Sequence, residues 1–373
     1  MEIKIQKTGF LKGLGLCQSI VERKNIMPIL SNAYFEAAKD KKLTIIATDL
    51  EVGVRIDVEA EVVKEGRITV NAKKLNDIIK EMSSEEIKIK VLENNWVEIK
   101  GGTSKFKIVG MSTDEYPNLP DFDAKVEGEI PASILMEMIE KTVFSVSTDE
   151  ARYNLGGIFT ELIDEKGKKK LSMVATDGHR LSKIEREITV KSGNPLEKPV
   201  IIPRRGAEQI MKIIALGDGN VGFTFKENNG TITGENVILM MRLVDGEFPD
   251  YTQVVPSEIK KKIHVKRSDF LGALKRSNVL LSNKYRGVKL HIEKGKMTMV
   301  TNNPDLGENI DEIEIDYKGD KIEILFDVKY LYEITSLYRT EELVIGLNDS
   351  DSPGMITEKG DGGYIHVIMP MLI

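Results

Sequence analysis

The sequence contains almost no cysteine, because Cys17 is the only one among 373 residues. A disulfide framework and a cysteine-based metal site are therefore excluded, and the composition fits a reducing cytoplasm. Long hydrophobic runs are also missing, and no stretch approaches the roughly 20 apolar residues that span a bilayer. The N-terminal MEIKIQKTGF lacks the basic and apolar regions of a signal peptide. We expect a cytoplasmic protein with no membrane partner.

Several catalytic signatures are missing as well. The chain has no G-x-S-x-G, no H-E-x-x-H and no phosphate-binding G-x-x-x-x-G-K-[ST]. None of the histidines is paired at metal-ligand spacing; they are His179, His264, His291 and His366. The sequence thus predicts no catalytic residue, no metal and no cofactor. A net charge of -6 argues against a wholly basic nucleic-acid coat but leaves room for a local basic surface.

An internal repeat organises the chain. Three strand-like runs, LTIIAT, LSMVAT and MTMVTN, each lead into a turn, at Asp49, Asp177 and Asn303, and the turns follow at nearly equal intervals. A second aligned set is helical, and it consists of VNAKKLNDIIKEM, IPRRGAEQIMKII and FDVKYLYEITSLY. We predict three α+β domains, each with two helices and about eight strands, at residues 1–122, 123–256 and 257–373. The first helix is predicted over 8–23, with Thr8 as a possible cap.

The helices carry basic residues on their polar sides. At 100° per residue, Arg204, Arg205 and Lys212 fall opposite the apolar residues of their helix, as Lys73 and Lys74 do in the first domain. For one helix, a solvated surface is the simpler explanation. Equivalent helices in three domains would collect these cations on one side, where they would attract phosphates without reading base sequence.

The His179-Arg180 pair occurs in only one of the three repeats. Asp177-Gly178 is a favoured hairpin turn, and Asp177 with His179 suggests an acid/base pair that has no evident nucleophile. The equivalent turns at Asp49 and Asn303 lack His-Arg. The fold therefore does not require this pair, and a specific binding role is favoured over a surface salt bridge.

The segments LSMVATDGHRLS, VIIPRRGAEQIM, LVDGEFPDYTQVVP, LSNKYRGVKL and VIMPMLI resemble the family of bacterial DNA polymerase III beta subunits, the replicative sliding clamps. The resemblance spans the whole chain. It implies three clamp domains whose helices pack on antiparallel sheets, and a ring-shaped, non-enzymatic homodimer around duplex DNA. The implied partners are the polymerase III catalytic subunit, the clamp loader and other proteins with a clamp-binding motif.

The resemblance also implies three sets of site residues. The DNA-facing set is Arg23, Lys24, Lys73, Tyr153, Arg204 and Arg205. The partner-peptide pocket is Leu155, Thr176, Gly178, His179, Arg180, Leu181, Pro249, Val254, Tyr330, Val367, Ile368, Met369, Pro370 and Met371, and Thr176, His179 and Arg180 are expected to offer hydrogen bonds at its rim. The dimer interface is Lys74, Lys105, Phe106, Ile108, Leu280 and Leu281, with Phe106 as the central anchor.

Three departures from the family pattern bear on partner preference. Gln253 and Asp327 stand where other members carry Arg and Asn, and the chain ends in Leu372-Ile373 instead of Arg-Leu. Asn154 beside Tyr153 also breaks a family tyrosine pair. Two other functions remain open, namely a monomeric repeat scaffold that binds only peptides and a hydrolase centred on Asp177 and His179.

Overall fold

The computed structural model describes residues 1–21, 27–38, 41–117, 122, 126–190, 194–217, 219–360 and 362–371. Its chain contacts divide it into two compact units. The first unit comprises residues 1–136 and 188–244, and the second comprises residues 137–187 and 245–373. None of the helices in the described ranges is long and apolar enough to cross a membrane.

The described residues form six α-helices, six short 3₁₀ helices and 25 strands. The helices are α1 (Lys7–Ile20), α2 (Ala72–Glu81), α3 (Ala132–Val143), α4 (Arg204–Ile214), α5 (Arg267–Ser277) and α6 (Val328–Leu337). The strands of the first third are β1 (Glu2–Gln6), β2 (Asn32–Ala38), β3 (Lys42–Thr48), β4 (Val52–Lys64), β5 (Gly66–Asn71), β6 (Glu86–Val91), β7 (Trp96–Gly101) and β8 (Ser104–Val109). The middle third holds β9 (Gly128–Pro131), β10 (Gly157–Glu165), β11 (Lys168–Thr176), β12 (Arg180–Glu187), β13 (Thr189–Val190), β14 (Val200–Pro203), β15 (Asn220–Lys226), β16 (Asn229–Thr233) and β17 (Val237–Arg242). The last third holds β18 (Lys261–Lys266), β19 (Gly287–Glu293), β20 (Lys296–Asn303), β21 (Gly307–Asp316), β22 (Ile322–Asp327), β23 (Glu342–Leu347), β24 (Gly354–Glu358) and β25 (Tyr364–Ile368).

The same strand-to-helix junction occurs twice in each third of the chain. Each helix starts at the residue after a strand ends, so that β1, β9 and β18 run into α1, α3 and α5, and β5, β14 and β22 run into α2, α4 and α6. Asn71 and Asp327 cap their helices by accepting hydrogen bonds from the amides of Lys74 (2.9 Å) and Lys329 (2.8 Å). The recurrence confirms the predicted repeat of two helices per domain.

The prediction of Thr8 as a helix cap is wrong. Helix α1 begins at Lys7, so Thr8 lies inside its first turn, and the preceding Gln6 has extended backbone angles and no capping side-chain bond. The strand carries the chain straight into the helix, which leaves no turn where a Thr cap would be placed.

In the first unit, helices cover an antiparallel sheet through amphipathic faces. The strand order is β13-β9-β15-β16-β17-β4-β1-β6-β7-β8, with β2, β3 and β5 joined beside β4. Helix α4 buries Ala207, Ile210, Ile213 and Ile214, and α2 buries Leu75 and Ile79, while Lys73 and Lys74 are exposed. The predicted division of these helices into apolar and basic faces is confirmed.

The second unit has its own antiparallel sheet, in the order β10-β11-β12-β25-β24-β23-β18-β21-β20-β19-β22. The pairing of β12 with β25 brings distant parts of the chain together, because it sets Leu181 opposite Val367 and Arg180 opposite Ile368. The C-terminal strand is thereby placed beside the Thr176–Arg180 turn, although the two segments lie far apart in sequence.

Candidate functional site

The turn between β11 and β12 is held by its own side chains. The Asp177 Oδ1 atom accepts hydrogen bonds from the amides of His179 (3.0 Å) and Arg180 (3.1 Å). Gly178 has φ +88°, and a Cβ there would lie 2.7 Å from an Arg152 guanidinium nitrogen. The backbone angle favours glycine, whereas the exposed end of the Arg152 side chain could move aside for a Cβ. The turn therefore presents a defined surface next to the C-terminal strand.

A cluster of buried aliphatic side chains forms the floor beside this turn. Val174, Leu181 and Val367 are almost fully buried against one another, and Phe159 and Phe248 are among the half-buried residues packed on them. The rings of these two phenylalanines stack at 4.9 Å between centroids. Since the three aliphatic residues come from three adjacent strands, the floor is a rigid part of the sheet.

An apolar cavity of about 160 Å³ opens above this floor. The residues lining it are Leu155, Thr176, Gly178, Arg180, Leu181, Pro249, Asp250, Tyr251, Val254, Val367 and Met369. Val254 and Met369 are 39% and 38% exposed, so both side chains are accessible to a bound peptide at the edge of the cavity. The geometry suits an apolar side chain of a bound peptide.

Arg180 is the centre of a buried network of ion pairs and hydrogen bonds. Its guanidinium is 7% exposed and forms ion pairs with Asp177 (Nε to Oδ2, 3.0 Å) and Glu333. Its Nη2 also donates to the Phe144 carbonyl (2.7 Å), and the group lies 4.4 Å from the centroid of the Tyr330 ring. These internal contacts involve all three nitrogens but only three of the five N–H groups. That Arg180 also offers a hydrogen bond to a bound peptide stays a prediction. The internal contacts of Arg180 fix the wall of the cavity.

Thr176 is engaged in a similar way. Its hydroxyl donates to the Arg180 carbonyl (2.6 Å) and accepts from the Gly178 amide (3.1 Å). The hydroxyl therefore closes the turn. Of the three residues expected to bond at the rim, His179 alone keeps an exposed side chain, and its ring stacks on Tyr330 at 6.3 Å.

The remaining predicted pocket residues surround the cavity without lining it. Ile368 is buried, whereas Tyr330, Pro370 and Met371 are half-buried. The Met369 amide donates to the His179 carbonyl (2.9 Å), and the Met371 amide donates to the Leu325 carbonyl (2.8 Å). These bonds hold the C-terminal segment against the wall. The predicted residues Leu372 and Ile373 lie outside the described residues.

Sequence reasoning missed Asp250 and Tyr251 as lining residues. Both belong to the GEFPDYTQVVP segment, from which only Pro249 and Val254 were chosen. The Tyr251 hydroxyl donates to Glu161 (2.7 Å), and burial followed by this carboxylate raises the pKa of the tyrosine. A Tyr next to an Asp in a Pro-containing segment was the available signal, because loops of this composition often form binding walls.

A series of hydrogen-bonded buried side chains lies beside the aliphatic floor. His366 is fully buried, its Nδ1 lies 2.8 Å from the Ser182 hydroxyl and its Nε2 contacts the Tyr364 hydroxyl. Ser182 in turn contacts the Ser145 hydroxyl at 2.6 Å. Burial, reinforced by the charges of nearby Arg180 and Lys141, lowers the pKa of His366 to about 3. This serine-histidine pair is sealed from solvent and serves the packing of β12 against β25.

The predicted DNA-facing residues fall into several environments. Arg23 and Lys24 lie outside the described residues. Lys73 is exposed on α2, and Tyr153, in the second unit, is 64% exposed. Arg204, at the start of α4, pairs with Glu208 on the same helix (3.1 Å) and remains 41% exposed.

Arg205 is held more firmly than its neighbour. Its Nη2 lies 2.6 Å from the Asp49 carboxylate, whose side chain is 2% exposed, and it donates to the Ile20 carbonyl (2.7 Å). Gln209, one turn further along α4, bonds both the hydroxyl (2.6 Å) and the carbonyl (3.2 Å) of Ser19. Arg205 thus ties α4 to the first third of the chain.

In the first unit, the predicted interface residues lie on and beside a strand with an open edge. Among the described residues β8 pairs only with β7, and Phe106 is 39% exposed while Ile108 is half-buried. Lys105 pairs with Glu98 (2.6 Å), and hydrogen bonds from two lysines lower the pKa of Glu98 to about 2. Lys74 is exposed on α2.

In the second unit, Leu280 and Leu281 are half-buried at the end of the turn that follows α5. The adjacent Val279 is 77% exposed, and Ile310 on β21 is 61% exposed. Along 307–314, β21 pairs with β20, whereas its pairing with β18 is confined to Ile315 and Asp316. An apolar patch beside an open strand edge is typical of a surface that pairs with another chain.

The comparisons with known proteins cover the whole chain. The family models of the DNA polymerase III beta subunit match residues 1–120 (N-terminal domain), 129–250 (central domain) and 252–372 (C-terminal domain). The Pseudomonas putida beta sliding clamp is 32% identical over 374 residues, and the match covers 100% of both chains. The Caulobacter vibrioides beta sliding clamp is 29% identical over 375 residues, again with 100% of both chains covered.

Solved structures agree with the sequence comparisons. The Bartonella birtlesii sliding clamp, solved bound to griselimycin, has a TM-score of 0.94 at 32% identity with 100% of both chains covered. The Pseudomonas aeruginosa DNA polymerase III beta subunit gives 0.91 at 30% identity with the same coverage. Fold, repeat and sequence agree over the full length, and the chain belongs to the family of DNA polymerase III beta subunits, the sliding clamps that tether the replicative polymerase to DNA and act as scaffolds, not as enzymes.

Proposed function

We propose that the cavity beside Leu181 and Val367 is where this sliding clamp receives the peptide motifs of the polymerase and of other DNA-processing proteins. The apolar lining, with Val254 and Met369 left exposed, is the observation that carries the proposal. Methionine adapts to guests of different shape, which suits a shared docking site. Because Arg180 and Thr176 are used internally, most affinity comes from burying apolar side chains.

Truncating the exposed wall tests this assignment. In the Val254→Ala/Met369→Ala variant, we expect a fluorescent peptide from the polymerase catalytic subunit to bind about tenfold or more weakly, since two half-exposed apolar contacts are lost. Leu216→Ala is the matched control, because Leu216 is also 39% exposed but lies outside the cavity. Equal peptide affinities in both variants would place the docking site elsewhere.

We further propose that the three domains, at 1–122, 123–256 and 257–373, form half of a homodimeric ring around duplex DNA in the cytoplasm. The exposed residues Lys73, Tyr153 and Arg204 would contact phosphates, together with Arg23 and Lys24, and a closed ring lets these contacts stay weak enough for sliding. Arg205 would contribute mainly by bracing α4 through Asp49. Retention on nicked circular DNA after loading by the clamp loader, and loss when the DNA is linearised, is the expected result.

The ring interface proposed here joins the β8 edge of one protomer to the Val279–Leu281 and β21 region of the other. Phe106 is the apolar anchor, and lysines on β8 face a strand rich in Glu and Asp. Phe106→Asp should give a monomer by light scattering at micromolar concentration, while Val63→Asp, at another exposed apolar residue of the first unit, should stay dimeric. A monomeric unmodified protein that still binds the peptide would instead support a peptide scaffold without a ring.

A further inference from the structure

The wall of the cavity carries a negative charge without a cationic partner. Asp250 is exposed and lines the cavity, and no lysine, arginine or histidine among the described residues lies within ion-pair distance of its carboxylate. Its Oδ1 accepts hydrogen bonds from the Thr252 amide (3.1 Å) and hydroxyl (2.6 Å), and its Oδ2 accepts one from the Gln253 amide (3.0 Å). All three donors are neutral, so they orient the carboxylate without cancelling its charge.

These hydrogen bonds also keep the group ionised. Bonds from Thr252 and Gln253 lower the pKa of Asp250, because they stabilise its charged form. The carboxylate is therefore a permanent anion at neutral pH. Since Asp250 is exposed, its attraction for a cationic side chain is moderate and is screened by salt.

The cations nearest to this wall are already balanced. Arg180 is the basic residue among those lining the cavity, and its guanidinium is paired with Asp177 and Glu333. Lys183 lies 5.7 Å from the Tyr251 ring but pairs with Glu185 at 2.6 Å. Arg152, whose guanidinium lies next to Gly178, pairs with Asp149 at 3.6 Å. None of the three pairs with Asp250, so a peptide that enters the cavity meets a carboxylate with no cationic partner among the described residues.

Resting on the proposed docking function, we infer that Asp250 and the neutral Gln253 make this cavity selective for partner peptides that carry a lysine or arginine beside their apolar anchor, and that they disfavour peptides with an acidic residue there. The apolar floor binds any peptide with an apolar anchor residue, and the Asp250 carboxylate determines which of these peptides bind more tightly. Gln253 is the residue that sets the balance, because an arginine at this position would pair with Asp250 and cancel the preference.

The test uses three peptides with one shared apolar anchor, flanked on either side by Lys, Gln or Glu, and measures their affinities for the full-length protein by fluorescence anisotropy. The expected order is Lys, Gln, Glu, with steps of about two- to fivefold that shrink as salt is raised, because exposed charge pairs are weak and screened. Asp250→Asn should bring the three affinities together. Gln253→Arg should abolish or reverse the order.

Asp245→Asn is the control, since Asp245 is an exposed carboxylate in the same segment that does not line the cavity, and it should keep the wild-type order. If the Lys and Glu peptides bind the wild-type protein equally while the Gln peptide binds, the selectivity inference is refuted and the docking function stands. An order that survives in Asp250→Asn also overturns the inference. If none of the peptides binds, both the docking function and the selectivity inference are refuted.

Discussion

Replacing Arg180 with methionine tests whether this residue is a structural support of the cavity wall. The substitution keeps an unbranched side chain but removes the guanidinium, which leaves Asp177 and Glu333 without their shared partner and the Phe144 carbonyl without its donor. Because the Arg180 side chain is only 7% exposed, solvent compensates poorly for the loss. Asp177 and Glu333 are 16% and 31% exposed, so their charges are not left fully buried. We therefore expect a loss of about 1–3 kcal/mol of unfolding free energy, the usual cost of leaving buried hydrogen-bonding groups without a partner.

The assay is thermal unfolding monitored by circular dichroism, and peptide affinity is measured in parallel. For a unit of this size we expect the melting temperature to fall by about 2–12 °C, from about 2–4 °C per kcal/mol. Lys168→Met is the control, since its pair with Glu187 is 68% and 59% exposed and should contribute nothing measurable. Adding Glu333→Gln to Arg180→Met should recover part of the loss by removing one stranded charge.

Equal melting temperatures for Arg180→Met and the wild type would refute the reasoning, since they would show that the buried contacts of the guanidinium add no stability. A loss that Glu333→Gln fails to reduce would assign the effect to Asp177, the Phe144 carbonyl or the packing against Tyr330, and not to the charge of Glu333.

Two further predictions concern buried titratable groups. The pKa of His366 is about 3 in the folded protein and 6.5 when unfolded, so the folded state binds fewer protons; its contribution to stability is complete above pH 6.5 and is lost, by up to about 1.4 kcal/mol per pH unit, as the pH falls toward 3. Urea midpoints at several pH values should show this slope, and His366→Gln should lack that part of it. Burial raises the pKa of the Cys17 thiol to about 12, so a thiol reagent should label the native protein only at the rate of unfolding, and prompt labelling would contradict the buried position.

Local patterns in the sequence predict much of the fold, because the strands and helices here follow their hydrophobic periods. The apolar faces of α2 and α4 were predictable from spacing alone. The cap at Thr8 was not, since capping residues were expected where the strand in fact runs directly into the helix. Local signals identify an element more reliably than they define its ends.

The contacts of Arg180 show what sequence reasoning could not supply. Its partners Phe144 and Glu333 are 36 and 153 residues away, and the pairing of β12 with β25 brings together residues more than 180 positions apart. The pattern marked Arg180 as special but could not show whether its charge faces a guest or the interior. Only the packing of distant segments shows that three of its N–H groups bind Asp177, Glu333 and the Phe144 carbonyl.

The three equivalent turns share one side-chain contact and differ in a second. In each, the first side-chain oxygen of Asp49, Asp177 or Asn303 accepts from a backbone amide two residues further along. The second atom differs: in Asp49 it pairs with Arg205, in Asp177 it pairs with Arg180, and in Asn303 it is an amide that donates to a backbone carbonyl. The first oxygen thus closes the turn in all three domains, while the second atom has a different partner in each. In the middle domain this partner is Arg180, whose position then shapes the wall of the cavity.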